Sequence, residues 1–223
     1  MRDRLSRALL VLFCAVSATH LVALAASIGW LDLVTKTLLM PSLAGWAATR
    51  RAPGLLVAGL LLSWLGDVAL QFDGLFILGM GFFAAAHVCY VTLFVRRGAA
   101  AVMRGRWGFV AAYCVVWLGL VAVMWSGLGD LRVAVALYSL LLTATATLSV
   151  GLGPVVGLGG ALFFVSDALL ALRLADLPRP PGADLLVMIT YLAAQWLIAD
   201  GVTASRPALP PTADDDRVTT VDG

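Results

Sequence analysis

Glutamate is absent from this 223-residue chain and Lys36 is its only lysine, so every anion is aspartate and nearly every cation arginine. Charged residues amount to 13% against 61% hydrophobic, too little polar surface to cover a soluble globule of this size. A basic nucleic-acid surface is excluded on the same ground, and no glycine-rich loop has phosphate-cradling spacing. With His20 and His87 in different apolar runs and no metal-type cysteine spacing, no zinc or other metal site is expected. No motif asks for a cofactor. Cys14, Cys89 and Cys114 each fall inside an apolar run and read as buried free thiols rather than a disulfide framework.

What the chain does have is apolar length. Stretches of roughly 17 to 25 residues, enough to span a bilayer, recur from end to end. Breakers and charges cut them into eight expected helices: Leu9–Ile28, Leu31–Ala48, Gly54–Phe72, Leu75–Val95, Trp107–Ser126, Leu131–Val150, Pro154–Leu172 and Asp184–Ala199. The fold class is therefore all-α, a polytopic membrane bundle of eight transmembrane helices over residues 1–201, with a polar, Pro-rich tail over 202–223 expected to be disordered and cytoplasmic. Arg2, Arg4, Arg7, Arg50, Arg51, Arg96, Arg97, Arg104 and Arg106 gather on one side, which puts both termini in the cytoplasm. A cleaved signal peptide is the alternative for the first run. That run continues to Ile28, too long for a signal core, which favours a retained helix. The Arg, Ala and Gly bias suggests a GC-rich bacterial source, and so a bacterial inner membrane.

Two aspartates stand inside these runs. Asp67 lies in "LLLSWLGDVALQF" and Asp167 in "ALFFVSDALLAL", about a hundred residues apart and each preceded by a small residue. Spans one to four and five to eight thus read as two parallel four-helix repeats, with a site between the halves. At about 1.5 Å of rise per residue, Lys36, Asp67 and Asp167 lie roughly 7 to 10 Å below the outer boundary, and His87 and Gln195 on the order of 16 to 20 Å. Tyr191 falls between these layers. His87 shares a helix face with Tyr90, and Tyr191 shares one with Gln195. A charged side chain within a span costs several kcal/mol unless paired or wetted, so it faces the interior and marks a site by default. The bland reading is a structural ion pair of Lys36 with one aspartate. A second carboxyl at the same depth has no cation of its own and points to function. His20 and the remaining tyrosines and tryptophans read as structural or interfacial.

The ordered set of Lys36 with Met40-Pro41, Gly66-Asp67, Phe76 to Gly79 with Phe83, His87 and Tyr90, Ser166-Asp167, and Tyr191 with Gln195 resembles the lysoplasmalogenase family, the YhhN-like multi-pass membrane proteins. The likeness runs from Lys36 to Ala199. One departure is Thr37, where the family commonly has proline after its lysine. The resemblance implies hydrolysis of the vinyl-ether bond of a lysoplasmalogen, with a lysophospholipid in the bilayer as substrate and a fatty aldehyde and a glycerophospho-choline or -ethanolamine as products. Such chemistry asks for a carboxylic acid to protonate carbon and an anion to stabilise the resulting oxocarbenium ion. Asp67 and Asp167 are expected to divide these tasks, in either order. Lys36 either binds the phosphate or keeps one aspartate ionised; His87 and Tyr90 are candidates to orient water, and Tyr191 and Gln195 to support them.

Two readings of other classes compete. A proton-coupled transporter also uses repeated halves with paired midspan carboxyls, and "VGLGPVVGLGG" at Val150–Gly160 could break a helix for it. A structural membrane subunit needs the charges only for packing. A chamber holding both carboxyls separates the enzyme from the structural subunit.

Overall fold

Turn chemistry ends the helices close to where the apolar runs are interrupted. The clearest case is Gly153, at φ 108° and ψ 174°, a conformation open to glycine alone, followed by Pro154 at the first helical position. The computed structural model describes residues 1–204, and the tail from Ser205 lies outside the described residues. Nine α-helices follow one another: α1 (Arg2–Ala25), α2 (Gly29–Thr49), α3 (Gly54–Ala69), α4 (Phe76–Arg96), α5 (Ala99–Arg104), α6 (Trp107–Met124), α7 (Arg132–Val150), α8 (Pro154–Leu174) and α9 (Ala183–Ala204). No strand occurs among the described residues.

A helix stands at each of the eight expected places, and the short α5 between two arginine pairs is additional. Among the described residues, six segments are long and apolar enough to cross a membrane: α1, α4, α6, α7 with its preceding turn, α8 and α9. The 16-residue α3 is apolar but shorter, and α2, which carries Asp32 and Lys36, is not among the six. Large apolar side chains on the outside, among them Val22, Val115, Leu137 and Leu158, suit a hydrocarbon surround. Cys14 and Cys114 are also exposed on that outer surface. They are free thiols, but they face outward rather than into the core as expected.

Neighbouring helices form closely packed hairpins, α1 with α2, α3 with α4 and α8 with α9, while α4 against α7 joins the first half to the second. Small residues permit the approach. A Cβ at Gly59 would stand 2.4 Å from the Tyr90 ring, and one at Gly160 would stand 2.1 Å from Ser149 Oγ. The glycine-rich segment thus does not break α8, which runs uninterrupted through Gly157, Gly159 and Gly160. α6 is peripheral and mostly exposed, held to α7 by a hydrogen bond from Trp117 Nε1 to Ser139 Oγ of 2.9 Å.

Pro41 sits inside α2 and has no N–H, so it cannot close the helical bond to the carbonyl of Thr37. Trp64 of α3 fills that gap, its Nε1 donating to the Thr37 oxygen at 2.9 Å. The bond ties α2 to α3 next to Lys36, and Trp64 lies one helical turn before Asp67. A proline and a tryptophan therefore fix how these two charged residues are presented.

Candidate active site

Five helices deliver polar side chains to one end of the bundle, the end away from the cavity walled by Arg2, Arg50, Arg51 and Thr203. Lys36 comes from the first half of α2, Asp67 from the last turn of α3, Tyr138 from the first half of α7, Asp167 from the second half of α8 and Tyr191 from the first half of α9. All five line one chamber of about 320 Å³, together with Arg173, Ser166 and an apolar set that includes Phe76 and Phe83. A second, slot-like cavity continues from it. Asp167, Tyr138, Leu70, Phe76, Phe83, Leu170 and Leu174 belong to both walls, and beyond them the slot is lined by Met80, Trp117, Leu120, Met124, Leu142 and Phe164. The chamber carries the charge and the slot is almost wholly apolar.

Each carboxyl has a tyrosine of its own. The Tyr191 hydroxyl donates to Asp67 Oδ2 at 2.7 Å, and the Tyr138 hydroxyl is hydrogen-bonded to Asp167 Oδ2. Asp67 is 4% exposed, whereas Asp167 is half-buried at the junction of chamber and slot. Lys36 makes no ion pair among the described residues, so the structural Lys–Asp bridge of the bland reading is not formed. It does lie within electrostatic reach of Asp67. The two aspartates also act on one another across the chamber.

His87, Tyr90 and Gln195 are not on the chamber wall. They are fully buried beneath it and reach it through the two tyrosines. His87 Nε2 lies 3.4 Å from the Tyr138 hydroxyl, and its Nδ1 lies 3.1 Å from Thr145 Oγ1. Tyr90 donates its hydroxyl to Gln195 Oε1 at 2.8 Å. Phe163 packs edge-on against both His87, 4.8 Å between centroids, and Tyr191, at 5.5 Å. His20 stands apart, its Nδ1 2.9 Å from Thr35 Oγ1 and 3.3 Å from Asp32 Oδ1.

Two residues went unrecognised in the sequence. Tyr138, taken with the other tyrosines as packing or interface, is instead hydrogen-bonded to Asp167 and stands beside His87. It sits six residues into α7, at a depth like that of Lys36, but depth alone does not set one tyrosine apart from the others. Arg173, to which the sequence assigned no role in the site, is on the chamber wall, its Nη1 3.9 Å from Asp184 Oδ1.

Residues 31–202 match the YhhN family, which takes in every residue of the chamber and of the layer beneath it. The chain belongs to that family. Relatives of this YhhN protein include the lysoplasmalogenase TMEM86B of Sus scrofa, 33% identical over 186 residues that cover 82% of this chain and 79% of the relative. The lysoplasmalogenase TMEM86B of Homo sapiens is 32% identical over 189 residues, covering 83% and 80%. No solved structure matches the YhhN chain.

Proposed function

We propose that this YhhN-family protein is a membrane-embedded hydrolase that cleaves the vinyl-ether bond of lysoplasmalogens. The observation that carries the reading is the junction itself: a charged chamber with two carboxyls opens into an apolar slot, and Asp167 belongs to both. A single-chain lipid has the same division. Its hydrocarbon chain suits the slot, its phosphate suits Lys36 and Arg173, and its ether linkage falls where the two cavities meet. The lysoplasmalogenase relatives support the same substrate class.

The chemistry balances with these groups alone. A carboxylic acid gives its proton to the alkenyl carbon β to the ether oxygen, forming a C–H bond and an oxocarbenium ion. The opposite carboxylate stabilises that cation as it develops. Water adds to the cationic carbon and returns a proton to the first carboxylate. The hemiacetal then collapses to a fatty aldehyde and the glycerol hydroxyl of the head group. One water is consumed and the acid is restored.

In this reading α2 and α3 complete a bundle of eight spans, with Asp67 and Asp167 on the third span of each four-helix half. Support comes from the hairpins α3–α4 and α8–α9, which hold corresponding places. Arg2, Arg50, Arg51 and Thr203 at the other end of the bundle support both termini lying in the cytoplasm.

The test is purified protein in detergent with matched lysolipids carrying a vinyl-ether, alkyl-ether or acyl chain. Aldehyde release from the vinyl ether alone is expected; acyl hydrolysis, or no turnover of any of the three, would remove the assignment. Lys36→Met is expected to raise KM for the phosphate-bearing lipid about tenfold, the worth of one hydrogen bond to a charged group. An unchanged KM with a lowered kcat would show that Lys36 serves the aspartates instead.

A further inference from the structure

Hydrogen bonds of opposite polarity end on the two carboxyls: a chain through Tyr138 and His87 on Asp167, and the Tyr191 hydroxyl on Asp67. The first is fixed at its far end, where the single hydroxyl hydrogen of Thr145 is given to the Leu141 carbonyl at 3.0 Å. Thr145 Oγ1 therefore accepts from His87, which places a hydrogen on Nδ1, so that in the neutral imidazole Nε2 carries the lone pair. That lone pair faces the Tyr138 hydroxyl. Tyr138 has one hydrogen for two neighbours, Nε2 and Asp167 Oδ2. If Asp167 is ionised and His87 neutral, the hydrogen goes to the carboxylate, and the tyrosine oxygen and the buried Nε2 face each other with no hydrogen between them. If Asp167 is protonated, its O–H donates to the tyrosine oxygen and the tyrosine donates to Nε2. Every donor and acceptor is then used, the arrangement buried polar groups favour.

On Asp67 the hydrogen bonding runs the other way. Tyr90 gives its hydrogen to Gln195 Oε1, and the buried Gln195 amide nitrogen is left without a hydrogen-bond partner among the described residues. Tyr191 donates to Asp67 Oδ2. Among the described residues Tyr191 faces no acceptor that competes for this hydrogen, so Asp67 receives it as a pure acceptor. Lys36 stands on the same side.

From this hydrogen accounting we infer that Asp167 carries the proton of the pair and Asp67 the negative charge, with Tyr138 and His87 as positioning residues that hold the proton on Asp167. The use made of that proton rests on the hydrolase reading above. Asp167 is also the carboxyl on the wall of the apolar slot, so the acid is the group that can reach an alkenyl carbon. Asp67, off the slot, is left to face the cation.

Infrared difference spectra of the purified protein in light and heavy water test this. A protonated-carboxyl C=O band is expected in the wild type and in Asp67→Asn, and is expected to vanish in Asp167→Asn. Tyr138→Phe is expected to shift the band to higher frequency by removing its hydrogen bond. It should also lower kcat about tenfold with KM unchanged. A band lost in Asp67→Asn and kept in Asp167→Asn, or absent from the wild type, overturns the assignment. Should Asp167→Asn not purify, the Tyr138→Phe spectrum decides, and an unmoved band overturns it. The spectra need no substrate, so failure here and failure to hydrolyse a vinyl ether are separate results.

Discussion

Asp167→Asn is expected to reduce aldehyde release by about a hundredfold to ten-thousandfold, the span general acids typically contribute. The upper part of that range applies, because Asp167 is the carboxyl on the slot wall, and the neighbouring Tyr138 hydroxyl is a far weaker acid. An amide in place of the acid keeps the shape and the bond to Tyr138 but has no proton to give. Asp67→Asn is expected to cost about a hundredfold to a thousandfold, as for other groups that stabilise transition-state charge in a dry site. The two variants should differ in kind as well as size. Asp67→Asn leaves the half-buried Lys36 with less opposing charge on the chamber wall, so it is also expected to unfold at a slightly lower temperature, whereas Asp167→Asn is not. Turnover assays with melting curves on both proteins check this; wild-type turnover in either variant removes that carboxyl from the mechanism.

How much of this was legible follows from what each residue costs in an apolar run. Lys36, Asp67 and Asp167 stand out because a charge there must be paid for by function or pairing. Their shared chamber follows from equal depth along separate helices. Tyr138 carries no such cost, and tyrosine is common at membrane interfaces, so nothing in its neighbourhood distinguished it. Its role depends on facing Asp167 across α7 and α8, which no single-helix pattern reveals. Glycine is ambiguous in the same way. In "VGLGPVVGLGG" the glycines before Pro154 do end a helix, while those after it lie within α8 and let α7 and α9 approach. Trp64 was likewise unreadable, since its partner is a carbonyl freed by a proline on another helix. The eight helices were legible because their breakers coincide with turns; α5 was not, being six residues long between arginines.

Gly159→Val is expected to destabilise the packing of α8 on α9. A Cβ at this position would lie 2.9 Å from Ile198 Cγ1, 3.0 Å from the Ala194 carbonyl oxygen and 3.0 Å from the Ile198 nitrogen. Two of these three atoms are backbone and cannot rotate away, so α8 and α9 must separate. Overpacking of a well-filled interior costs roughly 1 to 3 kcal/mol, and the two further methyl groups of valine add to the strain. The separation also reaches the site, because α8 carries Asp167 and α9 carries Tyr191 and Gln195. The bond from Ser166 Oγ to the Val187 carbonyl, 3.0 Å long, spans the same interface and would be stretched. Gly119→Ala on the peripheral α6 is the matched control. Nothing lies within 4 Å of its Cβ position, and replacing a helical glycine is worth about 1 kcal/mol in favour of the helix. Thermal unfolding in detergent should therefore move down for Gly159→Val and stay level or rise for Gly119→Ala. Equal melting temperatures for Gly159→Val and the wild type would mean that α8 and α9 do not depend on this contact.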